Sequence, residues 1–439
     1  MRILLPIFSR LLSALTMTPA LALALSLALH SPASPATPPR PLPEAPREAP
    51  HWIATWAAAP QDYGAVPSFI APPPPATLAE TTVRQKLWPT VGGEQVRVRF
   101  SNRFGRQPLH VADASLGQSA ESADVVAGSL RPLRFDGRAD LTIAPGAEAW
   151  SDPLTFALRP REPVSVSFHI ASPVPFATIH HTPPGASWTT AGDAVMAPRW
   201  SVAAPSPHNH VVTGLDVARG ARTVRVLVAF GDSITEGAGA VEDHGLPVRY
   251  PELLARRLAD AEGGARFAVL NAGIGGNRLL ADWVGPSALD RFGRDVLGQS
   301  GATHVLILIG INDIGFSLPE GANSPARGLP SAAQITEGLQ RLIAQAHSGG
   351  LHVLLGTLTP FEGASYWSEE KERRRSAVNE WIRARAGKDL TVVDFDAALR
   401  DPARPHALKP AFDSGDHLHP GNAGYAAMAD AVDLRALAP

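Results

Sequence analysis

The chain has no cysteine in 439 residues, and that absence alone removes several kinds of chemistry. Disulfides, thiolate metal centres, a cysteine nucleophile and a cysteine-linked lipid anchor are all excluded. Lysine is nearly as scarce: among 39 Lys plus Arg residues only Lys86, Lys371, Lys388 and Lys409 are lysine. These cations meet 41 Asp plus Glu, for a formal net charge of −2. Without a basic excess there is nothing to neutralise a phosphate backbone, so nucleic acid is not an expected partner. What is present describes a globular protein with a sizeable core: 45% hydrophobic and 18% charged residues. The length predicts two or three domains. Gly 38 and Pro 42 predict many turns and at least one linker.

The N-terminus reads as a targeting segment. Arg2 and Arg10 precede an apolar run that culminates in Leu21 to Leu29, and small residues follow at Ser31, Ala33, Ser34 and Ala36. This is the three-part pattern of a secretory signal peptide over residues 1–36. Leu11 to Leu29 is nearly long enough for a membrane anchor, but Pro19 interrupts it. Cleavage, a secreted or periplasmic location and no stable membrane insertion are the expectation. Residues 37–50 complete a proline-rich stretch, eight prolines between Ser31 and Pro50, expected to be an extended spacer.

Residues 51–217 show short strand patterns with turn punctuation and no convincing helix. Val96 to Phe100 and Val164 to Phe168 alternate strictly. Gly92-Gly93, between Val83–Val91 and Glu94–Phe100, suggests a tight hairpin. The expectation is an all-β, sandwich- or jelly-roll-like accessory domain. From residue 223 to 439 the period changes. Apolar strands at Val224–Phe230, Phe267–Leu270, Val305–Ile309, His352–Leu358 and Leu390–Phe395 alternate with helical patterns at Tyr250–Leu258, Ser331–Ala346 and Glu369–Ala386. Such alternation predicts a doubly wound, flavodoxin-like α/β domain with about five parallel strands, covered on both faces.

Ligands of a doubly wound sheet bind beyond the carboxyl ends of its strands. Three polar, glycine-rich segments lie at such ends: Gly231-Asp232-Ser233, Gly275-Gly276-Asn277 and Gly310-Ile311-Asn312-Asp313. Downstream, Asp416-His417-Leu418-His419-Pro420 precedes the last helix. Any one of these reads most simply as a cap or a turn; together they fall on one rim. Ser233 carries a hydroxyl that needs a base to become a nucleophile. His419 is the candidate base, and Asp416 can hold the far imidazole nitrogen. Asp413 and His417 are rivals by proximity.

The four segments, with Asn271 to Gly276 as the second, resemble the blocks of the SGNH/GDSL hydrolase family, in the family's order. The resemblance covers the C-terminal half. Thr55-Trp56-Ala57 and Ser101 to Gly105 look like the β-rich leader of one secreted bacterial branch. It implies a Ser233, His419 and Asp416 catalytic set, a spacing that Asp413 and His417 do not fit. It also implies an oxyanion hole from the Ser233 and Gly276 backbone N–H groups and the Asn312 side-chain amide. The GxSxG elbow of the α/β-hydrolases is absent around Ser233.

Other clusters point to blander readings. His180-His181, His208 and His210 read as surface histidines rather than metal ligands. Trp52 and Trp56 read as buried aromatics, with a carbohydrate contact as the functional alternative. Arg373-Arg374-Arg375 reads as a solvated helix face. No cofactor and no metal are expected. The expectation is an exported serine ester hydrolase acting on short-acyl or O-acetyl esters of small molecules or glycans. A lipase or lysophospholipase activity is the alternative, and a glycan-binding envelope protein is the alternative of another class.

Overall fold

A computed structural model describes residues 51–66, 77–181, 187–219, 224–242, 247–261, 267–316, 328–387 and 390–437. The expected signal peptide and proline-rich spacer lie outside the described residues. No helix among the described residues is long and apolar enough to cross a membrane.

Up to Arg219 the described chain is strand and turn, apart from a 3-10 turn at Tyr63–Ala65. One antiparallel sheet runs His51–Ala57, Val212–Arg219, Gly93–Ser101, Glu148–Trp150, with Leu154–Leu158 also pairing Gly93–Ser101. A second runs Ala204–Pro205, Ser187–Ala191, Thr81–Leu87, Val164–Ile170, Asp113–Gln118, Arg131–Pro132. Strand alternation sorts their faces. Val96, Val98 and Phe100 are buried, and Phe100 meets Phe168 of the second sheet edge to face at 5.9 Å. Burying each such ring contributes roughly 1.5–3 kcal/mol. On the other face, Arg97 stacks over Trp52 and Trp150 and pairs with Asp216 at 2.8 Å. A third, three-stranded sheet holds Gln61–Asp62, Thr178–His181 and His208–His210.

Gly92-Gly93 does not close a hairpin. Thr81–Leu87 and Gly93–Ser101 belong to different sheets, and the glycines carry the chain from one to the other. A side chain at Gly92 would put its Cβ 2.3 Å from the Leu158 carbonyl oxygen. Close backbone approach, rather than turn geometry, is what requires glycine there.

The C-terminal part is α/β. Five parallel strands, β1 (Arg225–Gly231), β2 (Phe267–Gly273), β3 (Ala302–Leu308), β4 (His352–Gly356) and β5 (Leu390–Val393), pair in the order β2-β1-β3-β4-β5. The chain leaves β1 toward one edge and β3 toward the other, so the switch point lies at the carboxyl ends of β1 and β3. Register brings Gly231 level with Gly273 on one side and Leu308 on the other. Three loops therefore leave the sheet at one height. Helix Ala332–Ser348 starts at a capping box of Ser331 and Gln334 and buries Ile335, Leu339, Leu342, Ile343 and Ala346 at helical spacing. Helix Glu369–Arg383 begins at Ser368 with three glutamates in its first turn, matching the helix dipole.

The β-rich and α/β parts form one compact unit. Ala54 N–H donates to the Ser300 carbonyl at 2.9 Å, and Val269 N–H to Thr90 Oγ1 at 3.1 Å. Ser300 Oγ donates to Asp216 Oδ2 at 2.7 Å.

Candidate active site

Ser233 sits in a tight turn at the end of β1. Asp232 caps the four-residue helix Ser233–Glu236 by accepting the Ile234 N–H at 3.1 Å. Burial pushes the Asp232 carboxyl up to about 7. The turn tolerates no side chain at Gly231, whose Cβ would stand 2.2 Å from Thr235 Oγ1 and 2.3 Å from the Leu308 carbonyl oxygen.

His419 Nε2 lies 2.8 Å from Ser233 Oγ, and His419 Nδ1 lies 2.6 Å from Asp416 Oδ2. A carboxylate only accepts, so Nδ1 carries the proton of neutral His419 and Nε2 is the lone pair facing the serine hydroxyl. The other Asp416 oxygen accepts the backbone N–H groups of Leu418 and His419 at 2.9 and 2.8 Å. Partial burial works upward on this carboxyl, but the His419 and Leu418 hydrogen bonds outweigh it and hold Asp416 well below the usual carboxylate range. The rival residues pair with each other: His417 Nδ1 contacts Asp413 Oδ2 at 2.5 Å. The hydrogen bond from this loop to Ser233 Oγ comes from His419 instead.

Gly276 has φ +71°, the left-handed region that favours glycine. Asn312, buried at the start of helix Ile311–Gly315, donates one amide proton to the Asn277 carbonyl at 3.0 Å. That bond fixes the amide plane and leaves its second N–H uncommitted. Asp313 accepts the N–H groups of Leu279 and Leu280 at 2.7 and 3.0 Å, and burial raises it to about 6 despite them. The loop bearing Gly275 to Asn277 is thus bound to the loop bearing Asn312.

Two residues escaped sequence reasoning. Arg291, fully buried, donates to the carbonyls of Gly231 (2.7 Å) and Ala272 (2.9 Å), to Asn277 Oδ1 (2.9 Å) and to Asp295 Oδ2 (3.0 Å). It ties the ends of β1 and β2 to the glycine loop. Its only sequence signal was the four-residue spacing to Asp295. Glu236, three residues after Ser233, is 7% exposed, and its carboxyl is pushed by burial up to about 8.

Two expectations require correction. His180, His208 and His210 are buried rather than on the surface, and burial drives them down to about 3, 4 and 3. Among the described residues no group of three or more His, Asp or Glu side chains is placed to hold a metal ion. Arg375 is buried as well, pairing with Glu372 and Asp396 at 2.8 Å each, while Arg373 alone of the three is open to solvent. Sequence read this helix as charged and missed that one charge faces the end of β4, where Arg375 also holds the Leu358 carbonyl. Trp52 and Trp56 are half-buried, and Trp56 lines a cavity with Trp88, Arg249 and Glu252.

A serine, an imidazole and a carboxylate in line at a sheet's switch point, beside clustered amide donors, have the geometry for acyl transfer. Residues 229–427 match the GDSL-like Lipase/Acylhydrolase family. The chain is a carboxylic ester hydrolase. It is similar to several solved structures at low identity. One is the acetyl xylan esterase AlAXEase (19% identity, 49% of this chain and all of that one, TM-score 0.35). Another is a mutant acetyl-xylooligosaccharide esterase of Geobacillus Stearmophilus (23%, 49% and 95%, TM-score 0.36). A third is the aryl esterase of M. Smegmatis (20%, 47% and 95%, TM-score 0.34). No curated protein matches the chain.

Proposed function

We propose that the chain hydrolyses short-acyl esters, O-acetyl groups on glycans among them, through an acyl-enzyme on Ser233. The observation that carries this reading is the unbroken line from Ser233 Oγ through His419 to Asp416. Ser233 Oγ bonds to the ester carbonyl carbon as its proton passes to His419 Nε2. The carbonyl electron pair moves onto oxygen, toward the Ser233 N–H, the Gly276 N–H and the free Asn312 amide proton. Collapse of the adduct expels the alkoxide, which takes the proton from His419. Water then repeats the sequence, with His419 as base, and releases the carboxylic acid. Asp416 stays ionised and stabilises the imidazolium in each half.

Accessibility supports a substrate presented at a surface. The Asp416 side chain is 51% exposed and His417 beside it is open to solvent. Such a rim suits an ester carried on a bulky glycan better than a long acyl chain that must be buried. The two antiparallel sheets are read as a sandwich-like accessory domain, and residues 1–36 as the signal that exports the enzyme.

The test is Ser233→Ala together with a serine-directed phosphonate. The variant should fold and lose ester hydrolysis, and the reagent should label wild type at Ser233. Turnover assayed across acyl-chain lengths and on acetylated polysaccharide should be greatest for acetyl esters. Greater turnover on long acyl chains would replace the proposed substrate with a lipid.

A further inference from the structure

We propose that Glu236 is a positioning residue for the oxyanion loop, and that the β-rich part of the chain holds Glu236 in place through His180. The inference rests on the reading of Ser233 and Gly276 given above. It assigns the N-terminal part a share in catalysis rather than a separate binding task.

The loop from Gly273 to Asn277 has little stiffness of its own. Three of its five residues are glycine, and glycine restricts the backbone least. Its restraint must come from outside. Gly273 N–H is held by Asn271 Oδ1 at 3.0 Å, and Asn277 is held by Arg291 at 2.9 Å. Between those anchors, Gly275 packs directly against the Glu236 carboxyl. The fit is close: a Cβ on Gly275 would stand 2.7 Å from Glu236 Oε2, and one on Gly273 would stand 2.2 Å from the Glu236 backbone nitrogen. Gly275 precedes Gly276, so this one contact governs where the next N–H points.

The buried Glu236 Oε1 has no hydrogen-bond partner. It faces His180 Nε2 at 3.7 Å, across the boundary with the three-stranded sheet. His180 Nδ1 lies 2.9 Å from the Ala59 carbonyl, which only accepts, so Nδ1 carries the hydrogen and Nε2 is bare. A protonated Glu236 aims its O–H at that lone pair, and a small side-chain shift closes the gap. A carboxylate would set lone pair against lone pair in a dry pocket.

The surrounding charges do not change this. Arg249 and Arg291 favour ionisation and Asp232 opposes it. Arg249 is committed to Glu252 and the Glu236 backbone carbonyl, and Arg291 to Asp295 and three further acceptors. The phenols of Tyr250 and Tyr425, also buried here, are raised by burial and stay neutral. Burial therefore dominates, and the acid keeps its proton up to about pH 8. Above that the ionised side chain is drawn toward Arg249 and away from the loop. The same sheet also holds the segment that follows the loop, where Gln61 Nε2 donates to the Val284 carbonyl at 3.1 Å.

The experiment compares the full-length wild type with Glu236→Ala, Glu236→Gln, His180→Ala and Ser233→Ala, with steady-state ester hydrolysis measured from pH 6 to 10. A misplacement of about 1 Å costs about 10²-fold. Glu236→Ala should therefore lower kcat roughly 10- to 100-fold with KM nearly unchanged. Glu236→Gln, which keeps the shape packed against Gly275 and a donor toward His180, should recover most of that loss. Wild-type kcat should decline as pH rises past about 8, and Glu236→Gln should lack this decline. His180→Ala should shift the decline and lower kcat in the same direction as Glu236→Ala. Unchanged kcat in Glu236→Ala, a rise in KM alone, or an alkaline decline that persists in Glu236→Gln would each overturn the proposal. Should Glu236→Ala fail to fold, the Glu236→Gln profile decides. Inactive Ser233→Ala beside unaffected Glu236 variants would reject this inference and leave the nucleophile standing. Turnover in Ser233→Ala would reject both.

Discussion

Replacing Asn312 with alanine separates its two jobs, and their sizes follow from its contacts. One amide proton holds the Asn277 carbonyl at 3.0 Å, in a residue only 3% exposed. Losing that partner leaves a buried acceptor unsatisfied, at about 1–3 kcal/mol of stability. The other proton is free for charge that develops only as the carbonyl carbon becomes tetrahedral. A donor of that kind is worth roughly 10²–10³ in kcat, or about 2.7–4 kcal/mol. Asn312→Ala should therefore cut kcat by that factor, leave KM nearly unchanged and lower the melting temperature by a few degrees. Asn312→Asp, with the same shape but no amide donor and an added negative charge, should be at least as slow. The assay is steady-state hydrolysis of a chromogenic acetate ester, run well below the melting temperature so that lost stability does not mimic lost catalysis. A change in KM alone would make Asn312 a substrate-binding residue. An unchanged kcat would remove it from the oxyanion hole.

Further outcomes follow from the same geometry. Asp416→Asn should lower kcat and disturb the ascending limb of the pH–rate profile, because the carboxylate orients His419 at 2.6 Å; Asp413→Asn should leave that limb in place, and the reverse result would exchange their roles. Stability should fall as pH rises from about 6.5 to 8. Burial raises Asp232 to about 7 and Glu236 to about 8 from 3.8 and 4.5, so the folded chain holds protons there that the unfolded chain has released. The buried His180, His208, His210 and His304, lowered from 6.5 to between about 3 and 4, act in the opposite sense, but only below pH 6.5, where stability is lost as pH falls. A melting temperature that is flat or higher at pH 8 than at 6.5 would contradict this account. Exhaustive chelation should leave ester hydrolysis intact, since Ser233, His419 and Asp416 need no Lewis acid; a loss restored by added zinc or calcium would show otherwise.

Local pattern carried far because parts of this fold are encoded locally. Apolar strands followed by glycine-rich polar segments announce a parallel sheet with loops at one rim, and β2-β1-β3-β4-β5 has the expected five strands. The short sequence distance from Asp416 to His419 made that pairing legible, and both lie on one loop. Two things were not local. Gly92-Gly93 has the composition of a hairpin turn, but its glycines answer to the Leu158 carbonyl, 66 positions downstream, and no window around residue 92 contains that atom. Buried charge was equally hidden. Arg375 differs from Arg373 by half a helical turn, enough to move it from solvent to Glu372 and Asp396. Arg291, Glu236 and the histidines of the β-rich part have ordinary polar sequence surroundings. Their ionisation states and tasks come from desolvation and from partners on distant segments, which exist only once the two parts have packed together. The sequence by itself determined the kinds of residue at the rim and the order in which they arrive. Which buried side chains hold that rim in shape was decided by the tertiary structure, because burial and hydrogen-bond geometry depend on the whole fold.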